Sequence, residues 1–448
     1  MPERHRVLVI AEAANPTFVS VPLVGWSHAT AIARHADALI VTQVRNRQAF
    51  LDAGLREGED FVSIDTEWLA GPLYRINKVL RRLGLGWTAT TALAALSYYA
   101  FDRAAARLFK DDLHTGRFDV VHRVTPLSPT VPSAFLSRVC RRAGVPFVLG
   151  PLNGGVPWPK QFRSALRAEG EWLAYLRGVY RLLPGYRDTL RAASAILAGS
   201  LDTLKQIPAA YQDKCFYVVE NAVDPSRFTS VKADDGGETL NIAFVGRLVP
   251  YKGADMMIEA VGPLVAAGRA VVNVYGDGPE RGRLEQLAAR VAPGGGVRFH
   301  GWVPHQDLHR LLSQNDLFVF PSIREFGGGG VLEAMALGVV PVVVDYGGPG
   351  ELVTPQTGFA VPMGARAEIV QGVRGAVQSV LDNPTLLPPM REAGLQRVAE
   401  HFTWDAKARK IVRVYHWVTG KTAQRPDLEP GFRSLEPSIP TPNHAARE

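Results

Sequence analysis

The sequence predicts two α/β domains, each with a doubly wound parallel sheet, facing each other across a cleft. Short apolar runs alternate with helical patterns along most of the 448 residues, and the series restarts near residue 240. A polar stretch at residues 224–238 separates the two series. Apolar runs of four to six residues between helices are typical of parallel strands buried on both faces. The length alone predicts two or three domains, at roughly 100–200 residues each.

The elements follow in order along the chain. The first series predicts strands at residues 7–10, 38–41, 119–122, 147–149, 195–197 and 216–219. The second predicts strands at 240–245, 270–275, 297–300, 316–320 and 340–344, with a helix near 253–266. We therefore place one domain at 1–223 and a second at 240–403. Residues 424–448 contain five prolines and no apolar periodicity, which predicts a disordered tail.

Composition excludes several classes of protein. Apolar residues make up 46% of the chain and charged residues 21%, so a disordered chain is excluded. Two cysteines, Cys140 and Cys215, support neither a disulfide framework nor a cysteine zinc site, which favours a reducing cytoplasm. A strand begins directly after the first six residues, so we expect no signal peptide.

The net charge of +7 lies in the first half of the chain. Residues 1–200 hold 25 of the 50 basic residues but 16 of the 43 acidic ones. Such a field suits phosphorylated ligands, an anionic membrane surface or nucleic acid. Because no nucleic-acid-binding motif accompanies the charge, we expect no nucleic-acid partner.

One segment, residues 73–101, bears on membrane contact. Its four basic residues at 75, 78, 81 and 82 fall on one helical face beside Trp87, and residues 83–101 are uncharged but only weakly apolar. Two interpretations stay open: a solvated face on a helix packed against the domain, or a helix lying on anionic lipid. A membrane-spanning helix is the less favoured prediction because of the low hydrophobicity.

The second series carries a cationic turn between a strand and a helix. After the strand that ends at Val245 come Gly246, Arg247 and then Lys252 before a helix. Free amides and the helix dipole favour an anion at such an N-terminus, and two cations can grip a diphosphate. Two solvated surface cations are the alternative interpretation.

A glycine-rich turn lies after a later strand. Four glycines, 327–330, separate Glu325 from Glu333, and a further tight turn begins at Gly276. Glycines let the backbone approach a ligand and expose successive N–H donors. Glu325 is expected just before the turn and Glu333 on the first turn of the following helix, so that both face one phosphate-sized hole. Carboxylates repel phosphate but accept hydrogen bonds from sugar hydroxyls. A ligand with phosphates between two sugars, a nucleotide sugar, satisfies both features; a flexible loop with two surface acids is the alternative.

Residues 195–405 resemble the nucleotide-binding domain of retaining glycosyltransferases of family 4 (group 1), which have the GT-B fold. The match includes Gly-Arg-Leu-x-x-x-Lys-Gly at 246–253, two glutamates separated by seven residues, Gly-Asp-Gly-Pro at 276–279 and Phe-Thr-Trp at 402–404. The resemblance implies that a helix at 404–420 crosses back to the first domain.

The same resemblance implies site roles. Arg247 and Lys252 are expected to bind the donor diphosphate, Glu325 the transferred sugar and Glu333 the ribose. The predicted donor-binding set is Gly246, Gly276, Phe326, Gly327, Gly328, Gly329, Gly330, Val331 and Glu333. The sequence shows no strong metal-ligand cluster, so neither a metal nor another cofactor is expected.

The first half resembles a subgroup of that family more loosely. His122, at a strand end, is a candidate acid/base or sugar-contacting residue, with a buried structural histidine as the alternative. Asn153, Gly154 and Gly155 are candidate acceptor-side residues, as is Asn15 in the first loop. This loop departs from the subgroup, since Val19 and Val21 replace a glycine and an acid. An apolar loop of this kind favours an apolar or lipid-like acceptor.

Together these observations predict a retaining, metal-independent hexosyltransferase. It would move a sugar from a nucleoside-diphosphate sugar to a glycan or lipid-linked acceptor, in cell-envelope or extracellular polysaccharide synthesis. We expect it in the cytoplasm, associated with the inner face of the cytoplasmic membrane. Two alternatives stay open: a non-catalytic nucleotide-sugar-binding partner protein, and a GT-B phosphorylase or epimerase. UDP and GDP are both compatible with the sequence, and backbone contacts near residues 300–303 are expected to distinguish the two bases.

Overall fold

The computed structural model describes residues 4–69, 71–73, 87–162, 179–228 and 239–428. They form two compact units. The first unit comprises the described parts of residues 4–155, 179–221 and 404–428, and the second those of 156–162, 222–228 and 239–403.

The first unit is built on a parallel sheet. Among its described residues, seven strands pair in the order β3-β2-β1-β4-β5-β6-β7. They are β1 (Arg6–Ala11), β2 (Asp37–Gln43), β3 (Phe61–Ile64), β4 (Val120–Thr125), β5 (Phe147–Leu152), β6 (Ala193–Ala198) and β7 (Cys215–Tyr217). All adjacent pairs are parallel, with Val9 opposite Ile40 on one side and His122 on the other.

Helices cover both faces of this sheet, and its central strands bury apolar side chains on both sides. In β1, Leu8 and Ile10 belong to one buried cluster, whereas Val7 and Val9 belong to another. Successive side chains of a strand point to opposite faces, so the two clusters are the two layers of the core. The helices are α1 (Val21–His35), α2 (Arg47–Asp52), α3 (Trp87–Leu108), α4 (Lys110–His114), α5 (Leu136–Ala143), α6 (Tyr186–Ala192) and α7 (Leu201–Gln206).

The second unit has its own parallel sheet. Within the residues described, six strands pair in the order β10-β9-β8-β11-β12-β13. The strands are β8 (Leu240–Val245), β9 (Ala270–Tyr275), β10 (Val297–Gly301), β11 (Leu317–Phe320), β12 (Val340–Asp345) and β13 (Phe359–Pro362). The helices are α8 (Ala254–Ala266), α9 (Arg281–Val291), α10 (His305–Leu312), α11 (Gly329–Ala336), α12 (Gly347–Leu352), α13 (Arg366–Asp382) and α14 (Leu387–His401).

The weakly apolar segment that begins at residue 83 is described only in part. Residues 74–86, which carry the predicted basic face, lie outside the described residues. In α3, Ala95, Tyr98, Phe101 and Ala105 are buried in the first unit's core. Their spacing is that of one face of a helix, so this part is packed against the domain. Across the described residues, each helix is too short or too polar to span a bilayer.

The C-terminal segment contradicts part of the predicted tail. Disorder was expected from residue 424, yet Arg425 packs over the Phe216 ring and donates a hydrogen bond to the carbonyl of Cys215. Leu428 is buried in the first unit's core. The contacts of these two side chains provide the burial that the proline-rich composition did not reveal. Residues 429–448 of the predicted tail, and 229–238 of the predicted linker, lie outside the described residues.

The last helix, α15 (Trp404–Val418), belongs to the first unit and packs against α1. Lys407 of α15 is almost completely buried, and its Nζ donates to the carbonyl oxygen of Glu220 at 2.6 Å. It also lies 3.0 Å from Nε2 of His28. Burial lowers the pKa of Lys407 well below its usual value. These contacts connect α15 to α1 and to Glu220, which directly precedes the residue at which the chain leaves the first unit.

We expect Lys407→Met to destabilise the first unit by about 1–3 kcal/mol, because it removes a buried donor from the Glu220 carbonyl. Urea unfolding measures the change. Arg413→Met, at an exposed position on the same helix, is the matched control and is expected to stay within about 0.5 kcal/mol of the parent. Equal stabilities of the two variants would contradict this role of Lys407.

Candidate functional site

The cationic turn of the second unit follows β8. A short 3-10 helix, Pro250–Lys252, leads into Gly253, which has a φ of 77° and begins α8. A Cβ atom at Gly253 would collide with the carbonyl oxygen of Pro321. Only glycine adopts this conformation and this close approach without strain. The residue therefore allows the turn after β8 to lie against the loop after β11.

Hydrogen bonds fix these two loops to each other. The carbonyl oxygen of Tyr251 accepts from the backbone N–H of Ile323 at 3.0 Å and from the hydroxyl of Ser322 at 3.2 Å. Both loops leave the same edge of the sheet, because β8 and β11 are parallel neighbours. The predicted cation and carboxylate are thereby brought into contact.

Lys252 and Glu325 form a half-buried ion pair between the two loops. The Lys252 ammonium also lies 5.2 Å from the centre of the Phe320 ring, a cation–π distance. Arg247, the second predicted cation, is exposed. The site thus has one paired and one exposed cation beside a carboxylate, which suits a ligand that carries both phosphates and hydroxyls.

The glycine-rich turn leads into α11. Gly328 has a φ of 57° and precedes the helix, so the first amides of α11, at Gly329 and Gly330, have no acceptor one turn earlier within it. The Val331 side chain is fully buried, so only its backbone is available to a ligand. Phe326 is half-buried and Gly327 is buried. The predicted donor-binding residues therefore offer mainly backbone groups.

Glu333 lies on the second turn of α11, one turn later than the sequence suggested. Its carboxylate lies 3.1 Å from Nε2 of His305, and this hydrogen bond raises the pKa of His305. Glu325 and Glu333 were expected to face one phosphate-sized hole. Instead they have different partners, Lys252 and His305 respectively.

The turn at Gly276 packs against the cationic turn, since a Cβ there would collide with the carbonyl oxygen of Gly246. Beyond it, the ring of Tyr275 stacks on His300 with centroids 4.7 Å apart. Trp302 exposes about three quarters of its surface. This exposed indole lies in the 300–303 region, where the sequence suggested contacts with the nucleotide base.

Sequence reasoning missed a group of residues around residues 156–158, a segment that belongs to the second unit. The Arg324 guanidinium stacks on Trp158 at 4.7 Å, and the Tyr346 hydroxyl donates to the carbonyl of Pro157 at 2.8 Å. Arg324 directly precedes Glu325 in the sequence, and the other side chains pack beside the loop that carries Glu325. No sequence signal placed them there, because residues 156–158 follow a strand of the first unit.

A potential metal-binding group also escaped the sequence analysis. Within the described ranges, the ligand atoms of His305, His309 and Glu333 lie within 4.8 Å of one another. The two histidines are four residues apart on α10, a spacing that places them on one face of a helix. This four-residue spacing is the sequence signal that could have identified the metal-binding group.

In the first unit, Asn15 makes hydrogen bonds that connect the two ends of the first loop. It is buried, its N–H donates to the carbonyl of Pro22 at 2.8 Å, and its side-chain oxygen accepts from Thr17. The loop above it exposes Phe18 and Val19. Asn15 therefore shapes this loop, and its own side chain faces the protein.

Ser20 in the same loop has a φ of 64°, a positive value that no other described non-glycine residue shares. Such a conformation costs on the order of 1–3 kcal/mol and persists where the surroundings impose it. This strained position directly follows the exposed apolar side chains of Phe18 and Val19.

The other acceptor-side residues form a turn after β5. The Asn153 side chain donates to the Glu220 carboxylate, and Gly154 N–H donates to the Thr203 hydroxyl at 2.9 Å. The Gly155 carbonyl accepts from Gln206 at 2.9 Å. This turn is rigid, and its polar groups are largely used within the first unit.

His122 does not fit the acid/base role that the sequence suggested. It is fully buried, its Nε2 donates to the Gly150 carbonyl at 2.7 Å, and its Nδ1 accepts from the Tyr415 hydroxyl at 2.6 Å. Burial lowers the pKa of His122 to about 4. A neutral histidine with both ring nitrogens engaged joins β4, β5 and α15, which is a structural role.

The second unit can now be compared with known proteins. Residues 229–394 match the family of glycosyl transferases, group 1. The matched residues lie within the second unit. They include Arg247, Lys252, Glu325 and Glu333, the side chains to which a donor role was assigned by resemblance.

Two curated relatives extend the match. A GDP-mannose-dependent monoacylated alpha-(1-6)-phosphatidylinositol monomannoside mannosyltransferase of Corynebacterium glutamicum is 29% identical over 259 residues, 52% of this chain and 66% of the relative. A 2-deoxystreptamine glucosyltransferase of Streptomyces kanamyceticus is 31% identical over 261 residues, 55% of this chain and 63% of the relative. The matched regions thus span just under two thirds of these relatives.

A solved structure is similar in fold over more of the chain than the matched region. Anabaena Alr3699/HepE, crystallised with UDP, has a TM-score of 0.57 at 15% identity, over 91% of this chain and 99% of that one. The predicted GT-B fold, with a parallel α/β sheet in each of two units, is confirmed.

The buried position of His122 predicts a pH-dependent stability. Its pKa is near 4 when folded and near 6.5 when unfolded, so the unfolded chain binds the proton first as pH falls. The contribution of His122 is complete above pH 6.5 and decreases toward pH 4. Between pH 7 and 5 it should fall by about 2 kcal/mol.

Urea unfolding of the parent and of His122→Gln at pH 7 and pH 5 isolates this effect. Asp102 also affects the pH dependence, because burial raises its pKa to about 6. Its contribution to stability increases as the pH falls, whereas that of His122 decreases. The comparison cancels Asp102, since both proteins retain it. His114→Gln, at an exposed site, should keep the pH dependence of the parent. An unchanged dependence in His122→Gln would contradict a buried neutral His122.

Proposed function

We propose that this protein is a retaining glycosyltransferase of family 4 that transfers a hexose from a nucleoside-diphosphate sugar. The acceptor is a glycan or lipid-linked molecule of the cell envelope or an extracellular polysaccharide. The observation that carries the proposal is the contact between Lys252 and Glu325 across two strand-to-helix loops of a group 1 domain. The relative from Corynebacterium glutamicum is named as GDP-mannose-dependent, and Anabaena Alr3699/HepE was solved with UDP.

The phosphates of the donor bind between Lys252 and the start of α11. A helix N-terminus presents N–H groups and a partial positive charge, and the exposed Arg247 adds a second cation. Donor binding replaces the Lys252–Glu325 contact with a Lys252–phosphate contact. Glu325 is then available to accept hydrogen bonds from the sugar hydroxyls, and Glu333 from the ribose.

Transfer proceeds through positioning and charge stabilisation. The bond from the anomeric carbon to the diphosphate oxygen breaks, and Lys252 and Arg247 stabilise the charge that develops on this leaving group. The acceptor hydroxyl attacks from the same face and gives its proton to the departing phosphate oxygen. Retention follows from this shared face, and the positions of the two substrates replace an enzyme nucleophile.

The acceptor side involves the first loop. Phe18 and Val19 expose about half and four fifths of their surfaces, and the adjacent Ser20 has a strained backbone conformation. Exposed apolar side chains gain about 1.5–3 kcal/mol each when fully buried against an apolar partner. We infer that a lipid-linked acceptor covers them at the inner face of the cytoplasmic membrane.

The donor site is tested with Lys252→Ala and Glu325→Ala. Each variant should lose on the order of 10²-fold or more in turnover, because each removes a group that stabilises the transition state. Thermal shift and calorimetry with UDP and GDP sugars name the donor, and turnover is then measured with that donor. Lys252→Ala should also weaken binding of the free nucleoside diphosphate, whereas Glu325→Ala should not, since it contacts the sugar.

Glu392→Ala, an exposed carboxylate of the same unit, is the control and should turn over like the parent. Parental turnover in either test variant would contradict the assignment. Donor conversion without an acceptor, or a requirement for free phosphate, would indicate an epimerase or a phosphorylase. Donor binding without transfer to any acceptor would indicate a partner protein.

The acceptor proposal is tested with the double variant Phe18→Ser, Val19→Ser. Loss of two apolar contacts should raise KM for a lipid-linked acceptor by about tenfold or more, since about 1.4 kcal/mol corresponds to tenfold. Donor affinity should stay unchanged. Leu182→Ser, which alters an equally exposed apolar residue of the first unit, is the control. An unchanged KM would show that the loop does not contact the lipid-linked acceptor.

A further inference from the structure

Two histidines and a carboxylate converge at the start of α10. His305 and His309 occupy the first and fifth positions of the helix, with ring centroids 4.6 Å apart. Glu333 of α11 approaches His305, and one ligand atom from each of the three residues lies within 4.8 Å of the others. Metal–nitrogen bonds of about 2.0–2.1 Å place neighbouring ligand atoms somewhat closer than this, so a small rotation of His305 and Glu333 completes the set.

His309 provides the independent evidence for a ligand. The residue is 7% exposed, and its Nε2 atom is buried without a hydrogen-bond partner. Its Nδ1 lies 3.2 Å from the carbonyl oxygen of Arg227, which can only accept, so Nδ1 carries the proton. The Nε2 lone pair is therefore left without a donor, in a residue that has a ligand atom within 4.8 Å of those of His305 and Glu333. Buried polar atoms are rarely left so, because an unmade hydrogen bond costs about 1–3 kcal/mol.

The same arrangement is common in metal sites. A metal-binding histidine usually donates its other ring N–H to a carbonyl or carboxylate, which fixes the tautomer and orients the ring. The Arg227 carbonyl supplies this contact for His309, and the Phe228 ring packs 4.4 Å from the imidazole. Burial also lowers the pKa of His309, which favours the neutral form that a metal requires.

We propose that His305, His309 and Glu333 form a binding site for a divalent transition-metal ion, represented by Zn²⁺. Two imidazoles and one carboxylate suit zinc and its neighbours in the first transition series, whereas magnesium and calcium prefer oxygen ligands. The ion replaces the His305–Glu333 hydrogen bond and gives the Nε2 atom of His309 its partner.

The site has a consequence for the donor, which rests on the proposed function. Glu333 serves the ribose in that function, and a carboxylate bound to a metal ion has lost most of its capacity to accept from a ribose hydroxyl. Metal and nucleotide sugar therefore compete for Glu333, and the metal acts as an inhibitor of transfer.

Calorimetry with Zn²⁺ on the metal-free full-length protein tests the site. We expect binding of one ion, weakened at least tenfold in His305→Ala and in His309→Ala, and unaffected by Mg²⁺. His305 is more than half exposed, so its variant should fold even where the His309 variant does not. His114→Ala, an exposed histidine of the first unit, is the control for adventitious binding and should match the parent.

Cobalt substitution gives a second readout that does not depend on activity. Co²⁺ bound by imidazoles should give a visible ligand-field absorption band that His305→Ala and Glu333→Gln each abolish. Absence of Zn²⁺ binding, or equal affinity in the parent and His305→Ala, would overturn the proposal.

Transfer assays at buffered free Zn²⁺ separate the metal site from the proposed function. Zn²⁺ that inhibits the parent more than His305→Ala supports the shared use of Glu333. Zn²⁺ that binds without inhibition leaves the metal site in place and contradicts the ribose role. A protein without transfer activity would contradict the proposed function, while calorimetry would still decide the metal site.

Discussion

The parallel pairing of β8 with β11 is the constraint on which the candidate donor site depends. Because both strands run in the same direction side by side, the loops that follow Val245 and Phe320 must leave the same edge of the sheet. The Tyr251 carbonyl then fixes one loop to the other, and the ion pair between Lys252 and Glu325 follows. Residues 73 positions apart thus become neighbours through strand order.

The sequence predicted the central strands and two of the edge strands, β7 and β10, but it missed the other two edge strands. The central strands are buried on both faces, and their continuous apolar runs were readable. Two strands were missed, β3 (Phe61–Ile64) and β13 (Phe359–Pro362), and both are short edge strands. Ser63 and Pro362 interrupt their apolar patterns, as is common where a strand has a neighbour on one side only. These strands form by pairing with an adjacent strand, and the local sequence pattern carries no information about that pairing.

In the candidate site as well, contacts between side chains that are distant in the sequence could not be predicted. The positions of Lys252 and Glu325 could be predicted because a strand, a turn and a helix in one stretch of sequence determine them. The environment of His122 could not, because Tyr415, which covers it, lies 293 residues later in the chain. His122 is also the third of the six residues of β4 and does not lie at the strand end that the sequence predicted. The partner of Glu333 was missed for the same reason, since His305 belongs to a different helix, α10.

Both carboxylates that the motif identifies already have a cationic or protonatable partner. Lys252 pairs with Glu325, and His305 pairs with Glu333, so neither acid faces the site as an isolated charge. A ligand must therefore exchange partners within the site, and the net gain is the difference between old and new contacts. An uncharged sugar alone cannot compensate Lys252 for the loss of Glu325, whereas a diphosphate can. The pairing thus favours ligands that bring phosphate and hydroxyl groups together, and at Glu333 it allows a metal ion to take the place of the histidine proton.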